Sequence, residues 1–342
     1  MSEGNGAVRQ RVRLYWNHIC ILHNFEKQYL ARLAGCLAER GIDLEVTYFG
    51  LGYASHMAEY LAQDGAELPD VVVSADLEVF EHPAVAAKLD GRYACEGWMP
   101  LKDTPAVRAA RRDETLLPVV IIPIVFYGAA CAGEPLLEVA RTRRLAFGGI
   151  NNSAGKTAVK AIWGRYGREA ASELLERATV ADMPIGAFQS VRTGGADVAL
   201  VPSLCAMRSD GETTFEGVPV EGPLLLPSYV LARDSVPERT ARAVVDELLS
   251  EELLGFYAQN GDLVVCADGR ASARSRYEGA DPVWAVTPEV LGMMDCGEFY
   301  DLYCWALPAA RRFSFSDSSC RVKATAGSGR VEAGQCWGGA GQ

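Results

Sequence analysis

The stretch Pro69-Asp70-Val71-Val72-Val73-Ser74-Ala75-Asp76 decides the reading of this chain. Val71 to Ala75 carries no alternation of polar and apolar residues, as expected of a strand covered on both faces in a parallel sheet. Asp76 then stands where a helix N-cap belongs, ahead of Leu77, Val79 and Phe80. Towards the N-terminus the same alternation repeats. Arg11 to Trp16 reads as a strand, Phe25 to Arg40 as a helix through Phe25, Tyr29, Leu30, Leu33 and Leu37, and Asp43 to Phe49 as a second strand. A helix over Ser55 to Gln63 leads into Pro69. The order is β-α-β-α-β-α, the pattern of a doubly wound α/β sheet.

Towards the C-terminus, Leu117 to Tyr127 supplies another strand. A second unit follows, with a strand at Arg144 to Phe147, a loop at Gly148 to Gly155, helices at Lys156 to Tyr166 and Glu169 to Ala178, and a strand at Asp197 to Val201. Pro223 to Ala232 reads as a strand, Pro237 to Tyr257 as one long helix and Leu263 to Cys266 as a strand. Pro288 to Leu307 reads as helical. From residue 314 to 342, Gly, Ser and isolated charges dominate, and this tail is expected to be disordered.

The 342 residues suffice for about two domains at roughly 150 residues each. With 49% hydrophobic and 23% charged residues, the composition excludes collagen-like, coiled-coil and wholly disordered chains. The net charge is −11, from 33 Lys and Arg against 44 Asp and Glu, which argues against a nucleic-acid partner. Ten scattered cysteines with no C-x-x-C read as reduced core thiols. Met1 to Gln10 is polar and does not read as a signal peptide, which, as the sequence stands, places the chain in the cytoplasm. Leu116 to Ala132 is uncharged for 17 residues but contains Pro118 and Pro123, and reads as buried strand rather than a membrane span.

In a parallel sheet, ligands bind beyond the carboxyl ends of the strands, so the loops there are the candidates. Asn17 to Asn24 holds His18, Cys20 and His23, three ligand-type side chains within six residues, and a metal on them is an open alternative to packed histidines. Asp76 and Glu78 suit either acid–base work or ordinary helix capping. Gly148 to Thr157 ends in Gly-Lys-Thr, but a phosphate-binding P-loop needs glycine where Ile150 stands. Asn151, Asn152 and Ser153 nevertheless offer polar groups ahead of a helix. There is no G-x-S-x-G and no H-E-x-x-H.

Three runs carry a family resemblance. Pro69 to Asp76, Leu145 to Lys156 and Ala196 to Ser203 are similar to the cleft-ending strand, the strand-loop-helix that opens the second lobe, and the returning strand of type II periplasmic-binding proteins, the solute-binding components of ABC transporters. The helix ending at Leu254-Gly255-Phe256-Tyr257 and the Asn260-Gly261 turn fit as well. The resemblance covers about residues 11–266. It implies a two-lobe α/β fold, each lobe a mixed or parallel sheet flanked by helices, with lobe 1 formed by 11–122 plus 219–310, lobe 2 by 123–218, and a cleft between them.

The ligand contacts it implies are Asn17, His18, Ser74, Asp76, Tyr127, Asn151, Asn152, Ser153 and Ser203. It further implies capture of a small polar or anionic ligand, or an ion, by hinge closure, without catalysis or cofactor, with an ABC permease as partner. Such proteins work in the periplasm or outside the cytoplasm once a signal segment is removed. Iron-binding members close on adjacent tyrosines, and no Tyr-Tyr pair occurs here. Cytosolic enzymes of the menaquinone-pathway chorismate dehydratase type share this fold. In that alternative, Asp76 or Asn17 acts on a bound carboxylate.

Overall fold

A computed structural model of the chain describes residues 9–19, 22–50, 56–149, 153–269 and 276–305. The tail from 314 to 342 lies outside the described residues, as do Cys20, Asn151 and Asn152. The first half runs β1 (Gln10–Asn17), α1 (His23–Glu39), β2 (Ile42–Phe49), α2 (Met57–Ala62) and β3 (Val71–Ser74). Short helices α3 (Glu78–Glu81), α4 (Pro83–Ala86) and α5 (Pro105–Ala110) lead to β4 (Leu117–Gly128). The second unit is α6 (Leu136–Thr142), β5 (Leu145–Gly148), α7 (Ser153–Tyr166), α8 (Arg168–Arg177), β6 (Thr179–Ala181), α9 (Pro184–Arg192), β7 (Val198–Pro202), α10 (Ser203–Ala206) and β8 (Phe215–Gly217). The chain then returns through β9 (Leu224–Ala232), α11 (Glu238–Leu248), α12 (Glu251–Gln259), β10 (Leu263–Val264), β11 (Trp284–Ala285), α13 (Pro288–Gly292) and α14 (Cys296–Trp305).

The structure adds α6, α9, α10, β6, β8 and β11 to the sequence expectation and divides Pro288 to Leu307 into α13 and α14; two further boundaries also move. The long helix from Pro237 is broken at Leu249–Ser250, because the Ser250 hydroxyl accepts the Leu253 N–H and starts α12 afresh, with Glu251 and Glu252 in its first turn. The segment Ser153 to Gly155, expected as loop, is already helix. A Cβ on Gly155 would lie 2.0 Å from the Gly148 carbonyl oxygen, so glycine here lets the first turn of α7 press onto the end of β5.

The strands form one eleven-stranded mixed sheet ordered β2-β1-β3-β9-β4-β7-β5-β6, with β8 and β10 on β4 and β11 on β9. Its wings, β1–β3 and β5–β7, are each internally parallel. The first wing pairs with the far end of β9 (Ser74 opposite Tyr229, Val71 opposite Ala232). The other pairs with the far end of β4 (Pro202 opposite Ile124, Val198 opposite Gly128). β4 and β9 lie side by side, Ile121 opposite Pro227 and Pro123 opposite Leu225.

That register has a geometric result. β3 runs from Ala232 towards Tyr229, and β7 runs from Gly128 towards Ile124. Their carboxyl ends therefore point at each other across the middle rows of the β4/β9 pair.

Every residue of β4 and β9 is buried. Helices α1, α5, α9, α10, α11 and α12 cover one face of the sheet, with Leu14, Trp16, Val73 and Val201 pointing to them. Helices α2, α3, α4, α6, α7, α8 and α14 cover the other, over Tyr15, Val72, Phe147 and Leu200. Each such buried aliphatic or aromatic side chain contributes roughly 1.5–3 kcal/mol, which is the physical reason for the apolar run in β4. No helix among the described residues is long and apolar enough to cross a membrane.

Candidate functional site

At the carboxyl end of β1, Asn17 Nδ2 donates to Ser74 Oγ, 3.2 Å away at the end of β3. Ser74 Oγ also accepts the Asp76 N–H at 3.0 Å, and Asp76 Oδ1 accepts the Glu78 N–H at 3.2 Å. The capping role expected of Asp76 is thus present, but it is not its only role. Lys156 on α7, from the other wing, donates to Asp76 Oδ2 at 3.1 Å and to Glu78 Oε2 at 2.6 Å. Lys160, one turn further along α7, lies 3.5 Å from Glu78 Oε1 and 4.8 Å above the Phe299 ring. All four charged residues are buried, 9% exposed or less.

Burial alone would raise the Glu78 carboxyl, yet Lys156 and Lys160 outweigh it and bring it down to about 2. The same balance acts on Lys156. Burial pushes it down, and Asp76 and Glu78 hold it above the ordinary lysine range. The cluster continues beneath β9, where Arg112 donates to the Tyr229 hydroxyl at 3.2 Å and to the Val286 carbonyl, with Glu81 3.7 Å away. Burial raises Glu81 despite Arg112.

The opposite face of the sheet holds a second buried polar group. His18 Nδ1 and Glu26 Oε2 are 2.6 Å apart, and the Tyr257 hydroxyl donates to Glu26 Oε1 at 2.7 Å. The His18 ring stacks on Tyr48 at 4.9 Å. At the end of β7, Ser203 Oγ donates to the Gly261 carbonyl at 3.1 Å. The next residue, Asp262, is buried, and its Oδ2 has no hydrogen-bond partner among the described residues. Burial, then the nearby Glu26, raise Asp262 well above the ordinary carboxylate range.

Asn17, Ser74 and Asp76 are therefore joined in one hydrogen-bonded chain. His18 and Ser203 belong to the group on the other face, and Ser153 opens α7 one turn before Lys156. Tyr127 does not join them: it lies opposite Ala199 near the amino end of β7, its ring against Phe188. Among the described residues no group of three His, Cys, Asp or Glu is placed to hold a metal ion. The His18 and His23 rings are 6.2 Å apart, and Cys20 lies outside the described residues. Sequence reasoning passed over Glu26, Lys160 and Asp262 as site residues, and took Lys156 only as the end of a glycine-rich loop and the start of a helix. The available signals were Glu26 in helical register with the apolar Tyr29, Leu30 and Leu33, and Lys156 and Lys160 one turn apart.

The chain matches no protein-family profile and no curated protein sequence. Its structure is similar to solved ones. A ferric binding protein from Campylobacter jejuni superposes with a TM-score of 0.63 at 14% identity, over 86% of this chain and 99% of that one. Iron-bound HitA from Pseudomonas aeruginosa gives 0.60 at 17%, over 86% and 99%. The substrate binding protein of an ABC transporter from Agrobacterium tumefaciens gives 0.56 at 12%, over 87% and 94%. The chain thus has the two-lobe α/β fold of type II periplasmic-binding proteins. Of the three solved proteins, the first and the third are binding proteins by name.

Proposed function

We propose that this chain is a solute-binding protein that captures a small polar or anionic ligand between two lobes by hinge closure, as the binding component of an ABC-type uptake system. The lobes are residues 11–122 with 219–310, and 123–218. The observation that carries this reading is the register of β4 and β9. It aims the carboxyl ends of the two wings at one another, with Asn17, Ser74 and Asp76 joined at the end of one wing and Ser203 at the end of the other. Ser153 at the start of α7 is a further proposed ligand contact, as are Asn151 and Asn152, which lie outside the described residues, and an ABC permease is the proposed partner. The fold shared with ABC substrate-binding and ferric-binding proteins supports the same role, which is exercised outside the cytoplasm.

Native mass spectrometry of freshly purified protein tests this reading. The expected result is an added mass that leaves on denaturation and binds less tightly after Ser153→Ala with Asn152→Ala. A clean mass, together with turnover of a chorismate-like carboxylate, would overturn it in favour of an enzyme on the same fold.

A further inference from the structure

The chain after β11 ties one lobe to the other. It is held first from lobe 1, where the buried Arg112 donates to the Val286 carbonyl. Two short helices follow, each with its own cap. Thr287 Oγ1 accepts the Val290 N–H at 3.4 Å at the start of α13, and Asp295 Oδ1 accepts the Glu298 N–H at 2.9 Å at the start of α14.

Both helices lie on α7, which belongs to lobe 2. A Cβ on Gly164 would come within 2.3 Å of Val290 Cγ1, so α13 presses on the α7 backbone where a side chain is missing. From α14, the Phe299 ring is 1% exposed, packs 6.4 Å from Trp163 and carries the Lys160 ammonium 4.8 Å above it. The same helix reaches lobe 1, where the Tyr300 hydroxyl helps to hold the Glu78 carboxyl down. At the far end of α7 the Tyr166 hydroxyl donates to Glu221 of lobe 1 at 2.7 Å.

Helix α7 is therefore gripped along its length: at 156 and 160 by Glu78, at 160 and 163 by Phe299, at 164 by Val290 and at 166 by Glu221. It stays with lobe 2 through its packing on α8 and β5. A rotation of lobe 2 away from lobe 1 must pull α7 from under α13 and α14, or tear those helices from Arg112 and Glu78. Charges that part into water are rehydrated and bias the lobes only weakly. The apolar contacts of Phe299, Trp163 and Val290 gain nothing from water, and they decide the balance.

We propose that residues 287–305 form a strap across the lobe boundary that holds the two lobes closed without any solute, and that the cleft opens only when α13 and α14 let go of α7. This rests on the two lobes proposed above. A solute entering the open form then binds with an affinity lowered by the small fraction of chains that are open.

Pulsed electron–electron double resonance on the full chain, with no solute added, tests the strap. Spin labels sit on non-canonical residues at Gln28 of α1 and Gln189 of α9, both exposed and on opposite wings. The expected wild-type result is one narrow distance. Gly164→Ala favours α7 as a helix but drives a methyl into Val290, and should raise the share of chains at a longer distance about tenfold or more. Phe299→Ala should act in the same direction, and adding Val290→Ala to Gly164→Ala should restore the narrow distance.

Three results would each overturn the proposal: a wild-type chain already spread over short and long distances, Gly164→Ala and Phe299→Ala chains that are folded by circular dichroism yet keep the wild-type distribution, or a long distance in Gly164→Ala that Val290→Ala does not reverse. The distances are read without solute, so they stand apart from whether native mass spectrometry finds one bound.

Discussion

The ammonium group of Lys156 lies 2.6 Å from Glu78 and 3.1 Å from Asp76, residues 78 and 80 positions away in sequence. One partner follows β3 and the other opens α7, so this contact ties the two wings of the sheet together. Buried as it is, the triad is held by mutual compensation rather than by water.

Removing the cation should therefore be costly. Lys156→Met leaves Asp76 and Glu78 facing each other and should lower stability by about 3–5 kcal/mol in urea unfolding. Adding Glu78→Gln should recover part of that loss. A Lys156→Met chain within about 1 kcal/mol of the wild type would show that the ion pair is not made in solution.

Stability should respond to pH in two opposite senses. The Glu78 carboxyl is depressed from 4.5 to about 2 in the folded chain, so its contribution is complete above pH 4.5 and is lost as the pH falls towards 2. Asp262 is raised, so its contribution is complete below the unfolded value of about 4 and declines as the pH rises above it. Thermal unfolding from pH 2 to 8 should show Glu78→Gln flattening the acid limb. Asp262→Asn should gain on the wild type as the pH rises above about 4, and a difference that stays constant from about pH 4 upward would contradict the raised carboxyl.

Glycine substitutions should divide by their surroundings. Gly155→Ala places a methyl 2.0 Å from the Gly148 oxygen and should destabilise by about 1–3 kcal/mol, the range of an overpacked core. Gly35, on an exposed turn of α1, has nothing within 4 Å, and Gly35→Ala should stabilise by up to about 1 kcal/mol. Differential scanning calorimetry of the two variants measures both signs at once.

Thiol reactivity should follow burial. Cys95 and Cys131 are buried and their thiols are pushed up to about 11, whereas Cys36 is exposed. Brief iodoacetamide treatment of native protein at neutral pH, followed by peptide mapping, should modify Cys36 and spare the other two. Equal modification of all three would mean that the core opens on the timescale of labelling.

The longer strands were legible because each is a local signal, whereas the two- and three-residue β6, β8 and β11 were not read. Val71–Val73 and the apolar run through Leu117–Gly128 announce burial without any knowledge of neighbours. So do the turns that end α1 and β2. The break at Ser250 was also present in the sequence, as a capping serine followed by two glutamates, but the continuous amphipathic spacing on either side obscured it. The charged cluster is different in kind. Nothing local distinguishes Lys156 meeting Glu78 from two solvated surface residues, since their meeting depends on how two distant wings are set by β4 and β9. The place of Tyr127 depends on tertiary pairing in the same way: its strand was read correctly, and the antiparallel pairing with β7 sets it opposite Ala199.

Pro123 and Pro227 occupy the middle rows of the β4/β9 pair, opposite Leu225 and Ile121. Neither has an N–H to contribute to the ladder. The β4/β9 ribbon that joins the wings therefore has no N–H from either of these two residues in its central rows.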